Sequence, residues 1–135
     1  MSKSPELMVV LTVNGSNVRR MEAFELYRSA FGAVKLCGEL PPDDIPQEDL
    51  LPDELELHII MEINGRQFGI FPGEGDGSPG NVNCQFHFGN EDDFRKAYDV
   101  LTQDASKQLL ERPFWCGLFG LVTDKFGIRW ALVTD

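Results

Sequence analysis

Basic residues are scarce in this chain: 12 Lys and Arg stand against 22 Asp and Glu, a formal charge of −10 at neutral pH. A surface of that sign repels phosphate backbones and anionic headgroups, which argues against nucleic acid or membrane as a bulk electrostatic partner. Long apolar runs are missing too. No stretch approaches the length of a membrane span, and residues 1–6 are polar rather than signal-like. The expectation is a soluble, cytoplasmic protein. Cysteine is sparse and odd in number, with Cys37, Cys84 and Cys116 forming no C-x-x-C pair. Each sits in an apolar or aromatic context, so the reading is three buried free thiols in a reducing compartment. No nucleophile elbow is present. The glycine-rich stretch Gly73-Glu74-Gly75-Asp76-Gly77 is acidic and lacks the following helix of a phosphate-binding loop.

What is there suffices for a core. At 135 residues and 42% hydrophobic, the chain reads as one domain, or as two small halves sharing a core. The pattern repeats. Residues 7–13 are β-rich and end in the turn Asn14-Gly15-Ser16-Asn17. A helix follows with Asn17 as its N-cap, an apolar stripe of Val18, Met21, Phe24, Tyr27 and Phe31, and Gly32 as its stop. Strands are predicted over 33–37, 55–63 and 67–71, the last two joined by Asn64-Gly65, a strong hairpin signal. After a Gly- and Pro-rich linker the order recurs. It comprises a strand over 83–88, a helix capped by Asn90 with Phe94, Ala97, Tyr98 and Leu101 inward, and strands over 107–111, 117–122 and 128–133. The fold class is α+β: a single domain over 1–135, with βαβββ modules at 7–71 and 83–135 and a linker at 72–82.

One segment departs from ordinary surface. Residues 38–56 hold eight carboxylates, four prolines and no base, and so supply −8 of the −10 total. Proline density and like-charge repulsion predict an extended, mobile loop, a lid or dimer arm in one reading and a solvated insertion in the other.

The C-terminal run carries the most specific pattern. Phe114, Trp115, Phe119, Gly120, Val122, Thr123, Asp124, Phe126, Gly127 and Trp130 fill every fixed place of F-W-x-x-x-F-G-x-V-T-D-x-F-G-x-x-W. As a pattern of residues it is a β-hairpin, two apolar stretches around the polar turn at 123–127. On these residues, and on the duplicated βαβββ order, the chain resembles the PhnB-like branch of the vicinal oxygen chelate superfamily, the glyoxalase/bleomycin-resistance/dioxygenase fold. The resemblance implies two modules forming a half-open mixed sheet around a cleft, often completed by a partner subunit in a homodimer.

The resemblance also implies a place for a divalent metal, held by His, Glu or Gln from strands of both halves. A PhnB-like histidine before the Asn64-Gly65 turn carries over to His58. Alternation puts His58, Ile60 and Glu62 on one face of their strand, and Ile59, Met61 and Ile63 on the other. In the second half Gln85 and His87 share a face. The other two positions fail: the first strand has Met8 or Val9, and the last has Ala131 where the family places a glutamate. The standard metal set is therefore incomplete and no cofactor is expected. A divalent metal, if present, would have to use His58, Glu62, Gln85 and His87. Phe119 and Trp130 read as core, whereas Trp115, after Pro113-Phe114 and before Gly117, is placed to wall a pocket and stack on a planar or cationic ligand. The methyltransferase label attached to some PhnB-like proteins does not suit a chain with no glycine-rich nucleotide motif after a strand.

The function expected is thus binding of a small-molecule ligand at His58, Trp115, Gln85 and His87, with no catalytic residue assigned. The alternatives are a metal-dependent lyase or dioxygenase of the glyoxalase type, and an antibiotic-sequestering resistance-type protein.

Overall fold

The structure is a computed structural model describing residues 5–40, 44–50, 55–73 and 82–135. Among the described residues, eleven elements follow one another: β1 (Val9–Thr12), α1 (Asn17–Phe31), β2 (Val34–Cys37), a 3₁₀ turn at Gln47–Asp49, β3 (Ile59–Ile63), β4 (Arg66–Phe71), β5 (Cys84–Phe88), α2 (Glu91–Leu101), β6 (Lys107–Glu111), β7 (Phe119–Thr123) and β8 (Arg129–Thr134). The strands make two four-stranded sheets of the same topology, β1-β4-β3-β2 and β5-β8-β7-β6. In each, the first strand runs parallel to its neighbour and the other pairings are antiparallel. The twofold βαβββ order read from the sequence is the fold. Parts of the acidic segment (41–43, 51–54) and of the linker (74–81) lie outside the described residues.

The chain divides into two compact units, Met1–Glu25 with Gly32–Glu74, and Leu26–Phe31 with Gly75–Asp135. In the first, alternation along β3 does what the sequence predicts: Ile59, Met61 and Ile63 are buried, with Leu11, Phe68 and Ile70 on the same face of the sheet. The β3–β4 turn needs two residues in the left-handed region, and Asn64 (φ 48°) and Gly65 (φ 80°) supply them. This is a backbone turn that requires no side-chain partner.

Helix α1 differs from its expected stripe. Val18 and Met21 are exposed, while Arg20, Ala23, Phe24, Leu26 and Tyr27 are buried. Arg20, only 2% exposed, is why. Its Nη1 donates to the carbonyls of Val13 (2.9 Å) and Gly15 (3.0 Å), and its Nη2 to Asn17 Oδ1 (2.7 Å). These bonds compensate burial of a guanidinium that a hydropathy pattern assigns to solvent. Only Nε has no hydrogen-bond partner. Burial pushes the guanidinium pKa down, against an opposing pull from Glu56.

The cap also shifts by one residue. Ser16 Oγ accepts from the Arg19 amide (3.1 Å), while Asn17 accepts from the Leu57 amide and donates to the Leu55 carbonyl, fastening residues 55–57 to the helix start. Residues 55–58, taken by Asn17 and a turn, are not strand.

In the second unit, the last residues of α1 pack on the sheet. Phe31 stacks on Phe86 (4.2 Å between centroids), and Tyr27 and Phe31 both meet the fully buried Trp130 at about 5 Å. Asn90 caps α2 as read, accepting from the Asp93 amide (2.8 Å), and Phe94, Ala97 and Leu101 are buried. Helix and sheet approach closely at Gly120, where a Cβ would stand 3.2 Å from the rings of both Phe94 and Tyr98. Each large apolar side chain so buried stabilises the fold by roughly 1.5–3 kcal/mol. The cysteines are free, but Cys37 is exposed and Cys84 and Cys116 are half-buried. The expectation of buried thiols is corrected because β2 is exposed along its whole length.

Candidate functional site

The signature turn is built around a buried carboxylate. Asp124, 1% exposed, receives four hydrogen bonds: Tyr27 Oη (2.7 Å) and Trp130 Nε1 (2.9 Å) donate to Oδ2, and the amides of Phe126 (2.9 Å) and Ile128 (3.0 Å) donate to Oδ1. Its own amide donates to the Ile128 carbonyl, and the Gly127 amide to its carbonyl. The Thr-Asp-x-Phe-Gly-x-x-Trp part of the run therefore encodes a buried carboxylate that closes the β7–β8 hairpin and ties it to α1. All of its accepting capacity faces inward.

The faces opposite the helices carry the remaining candidates. Register in the first sheet aligns Val10 with Gly69 and Ile60, Thr12 with Phe71, and Gln67 with Glu62. His58, exposed, lies against the ring of Phe71 (5.0 Å), and its Nδ1 is 3.0 Å from the Glu56 carbonyl. A carbonyl only accepts, so Nδ1 carries the hydrogen in that bond. The alternation carried back from β1 places Met8, not Val9, on this face.

In the second sheet, Gln85, Ala131, Leu121 and Leu109 form one cross-strand row, and His87, Val133, Phe119 and Glu111 the next. His87 Nε2 lies 2.9 Å from Asp135 Oδ1, both side chains being mostly exposed. Trp115, 57% exposed, meets Phe119 edge to face at 5.1 Å between centroids. Phe119 with Trp115 thus lies on one side of the buried Val133, and His87 with Asp135 on the other, with the buried Ala131 in the neighbouring row. Phe119, read as plain core, is half-buried and supports Trp115. Asp135 was missed in the sequence because no motif marks it; it reaches His87 only through the parallel β5–β8 register. On the same sheet a groove of about 560 Å³ runs past Lys107, Leu109, Leu121, Thr123 and Arg129.

Glu62 lies on the outward face of β3, which begins one residue after His58, so the expected His58–Glu62 strand face is not formed; Gln85 and His87 do share one face of β5. Among the described residues, the donors that the resemblance implies for a divalent metal are not gathered at one point. Ala131 occupies its sheet position with a methyl group, Met8 offers only a thioether, and Asp135 engages His87. Among the described residues there is no group of three or more His, Cys, Asp and Glu that could hold an ion.

No family model matches the sequence, and no curated protein matches it. Solved structures do. The PhnB protein of Bacillus cereus superposes with a TM-score of 0.76 at 18% identity, covering 97% of this chain and 100% of that one. A glyoxalase-related enzyme from Fulvimarina pelagi gives 0.65 at 16% identity, over 98% and 89%. A mutant of the fosfomycin resistance protein of Listeria monocytogenes, complexed with Mn(II) and a dihydroxypropylphosphonic acid, gives 0.65 at 15% identity, over 99% and 94%. At these identities the likeness is one of fold. That fold is the glyoxalase/bleomycin-resistance fold of vicinal oxygen chelate proteins.

Proposed function

We propose that this chain, with its vicinal oxygen chelate fold, is a small-molecule-binding protein that works without the standard metal of that fold. The observation that carries the reading is the second sheet's open face. An exposed Trp115 held by Phe119, with the His87–Asp135 pair and Gln85 beside it, offers stacking area and polar contacts around an apolar floor. Ala131 removes the donor a chelate would need there. His58, with its Phe71 contact, is the corresponding candidate of the first sheet. A homodimer in the cytoplasm completes the proposal. It is supported by the wholly exposed strands β2 and β6, whose outer edges are unpaired among the described strands. No helix among the described residues is long and apolar enough to cross a membrane.

Titration of a panel of aromatic and cationic compounds, followed by tryptophan fluorescence, tests the reading. Quenching is expected in the native protein and is expected to be largely lost in Trp115→Phe. A panel that moves the fluorescence of both proteins equally removes Trp115 from the site.

The Mn(II) in the Listeria protein favours one alternative, a metal-dependent lyase or dioxygenase. Stoichiometric metal that survives dialysis and disappears in His58→Ala would establish it and overturn the metal-free proposal.

A further inference from the structure

Strands β2 and β6 each end a sheet and are exposed along their whole length, yet they offer different edges. Strand β2 is four residues long, its register slips between Lys35 and Cys37, and Lys35 already pairs with Glu39 at 3.4 Å. A bulge of that kind twists an edge away from new partners. Strand β6 runs Lys107-Gln108-Leu109-Leu110-Glu111 in unbroken register with β7. Two large apolar side chains, Leu109 (40% exposed) and Leu110 (39%), stand open on it. Its charges are placed symmetrically, a base two residues before Leu109 and an acid two residues after it. Rotated by half a turn about Leu109, the strand therefore presents acid to base at both ends.

We infer that β6 is the dimer edge, pairing antiparallel with β6 of a second copy across a twofold axis at Leu109 and joining two four-stranded sheets into one. In that register Lys107 lies opposite the partner's Glu111, Glu111 opposite the partner's Lys107, and Gln108 opposite the partner's Leu110. The two Leu109 side chains meet at the axis. A twofold contact must be complementary to itself, and this strand is. Charges on an edge ordinarily discourage pairing, but here they select the alignment. A parallel alignment sets like charge against like. An antiparallel slip of two residues leaves Lys107 opposite the partner's Leu109 and Glu111 opposite the partner's Ala105, with neither charge matched. Lys107, Leu109 and Glu111 share the open face of the sheet with Gln85 and His87, so the pairing carries that face across the axis into the second copy. Five residues a side make a small interface, and a Kd on the order of 10 μM is expected. The inference rests on the homodimer proposed above and names the surface that forms it.

Sedimentation velocity of the full chain, from about 1 to about 500 μM, measures the association and is expected to show a dimer. Lys107→Glu leaves two acids on the edge and Glu111→Lys two bases, so each is expected to weaken self-association at least about tenfold. Mixing the two single variants sets acid against base at both ends and is expected to restore the dimer as a heterodimer. The double exchange, Lys107→Glu with Glu111→Lys in one chain, is expected to restore it as a homodimer. Raising salt from about 50 to about 300 mM is expected to weaken the native dimer. Leu109→Cys places two thiols opposite each other at the axis, and mild oxidation is expected to give a 109–109 crosslink in preference to one through the exposed Cys37, as read by mass spectrometry. A dimer as tight in both single variants as in the native chain overturns the inference and leaves the homodimer standing on another surface. Single variants that are weakened alone but do not associate when mixed overturn the register at Leu109, and with it the inference. A native chain that stays monomeric over the whole range overturns both the inference and the homodimer.

Discussion

The two βαβββ units share strand order and strand direction, but they close their last hairpins by different physics. In the first, Asn64 and Gly65 turn the chain with backbone dihedrals alone, both at positive φ. In the second, Asp124 organises the turn from inside, binding two amides of its own loop and two side chains, one of them 97 residues away on α1. The helices differ in the same sense. Helix α2 is an amphipathic helix with an Asn cap and three acids in its first turn. Helix α1 buries an arginine and shares its length between the two units. One topology thus tolerates both a local and a long-range solution. The local one should be robust to substitution of its surroundings, whereas the long-range one should fail as a unit.

The largest effect expected is at the long-range end. Asp124→Ala leaves the Tyr27 hydroxyl, the Trp130 indole and two amides without their acceptor, and should destabilise by at least about 3 kcal/mol in urea unfolding. A loss under about 1 kcal/mol would mean that the signature turn is held by its backbone after all, and the contrast between the hairpins would vanish. At the local end, Gly65→Ala forces a Cβ into a left-handed conformation and should cost roughly 1–2 kcal/mol, with Asn64→Ala similar or smaller.

The helix caps sharpen the comparison further. Asn90→Ala removes one cap bond and should cost about 1 kcal/mol. Asn17→Ala, at a residue that is not a cap but a three-way tie, should cost more than Asn90→Ala and expose residues 55–57 to amide exchange. The smallest effect concerns the thiols. Burial pushes the Cys84 pKa up, while Cys37 is exposed, so at mildly alkaline pH maleimide labelling followed by mass spectrometry should find Cys37 modified first and Cys84 last. The sign for stability follows: a thiol kept neutral in the fold favours folding below the ordinary thiol range. That contribution is lost as pH rises through the raised value.

Legibility in the sequence divides along the same line. The faces of β3 were readable because side-chain direction alternates residue by residue, so Ile59, Met61 and Ile63 could be assigned inward without knowing what they meet. The Asn64-Gly65 turn, the Asn90 cap and the Gly32 stop were readable because each is decided by the dihedral or hydrogen-bonding habit of one or two residues. Helix α1 was misread where a long-range partner intervenes. By hydropathy alone Arg20 belongs outside; the carbonyls of Val13 and Gly15 bring it in. Among the candidate residues, Gln85 and His87 were placed on one face by alternation, but Asp135 beside His87 and Phe119 beside Trp115 were not legible.

The sequence by itself determined the order of elements, the Asn64-Gly65 turn, the Asn90 cap and the inward and outward faces of β3. Only the tertiary structure decided the long-range contacts: Tyr27 as the distant partner of Asp124, the burial of Arg20, and the row of Gln85, Ala131, Leu121 and Leu109 across four strands. The reason is physical. Periodicity and capping act within a few residues, whereas strand register is settled jointly by turns and by packing of chain segments far apart in sequence. A shift of one residue in that register would turn the side chains of the shifted strand to the opposite face.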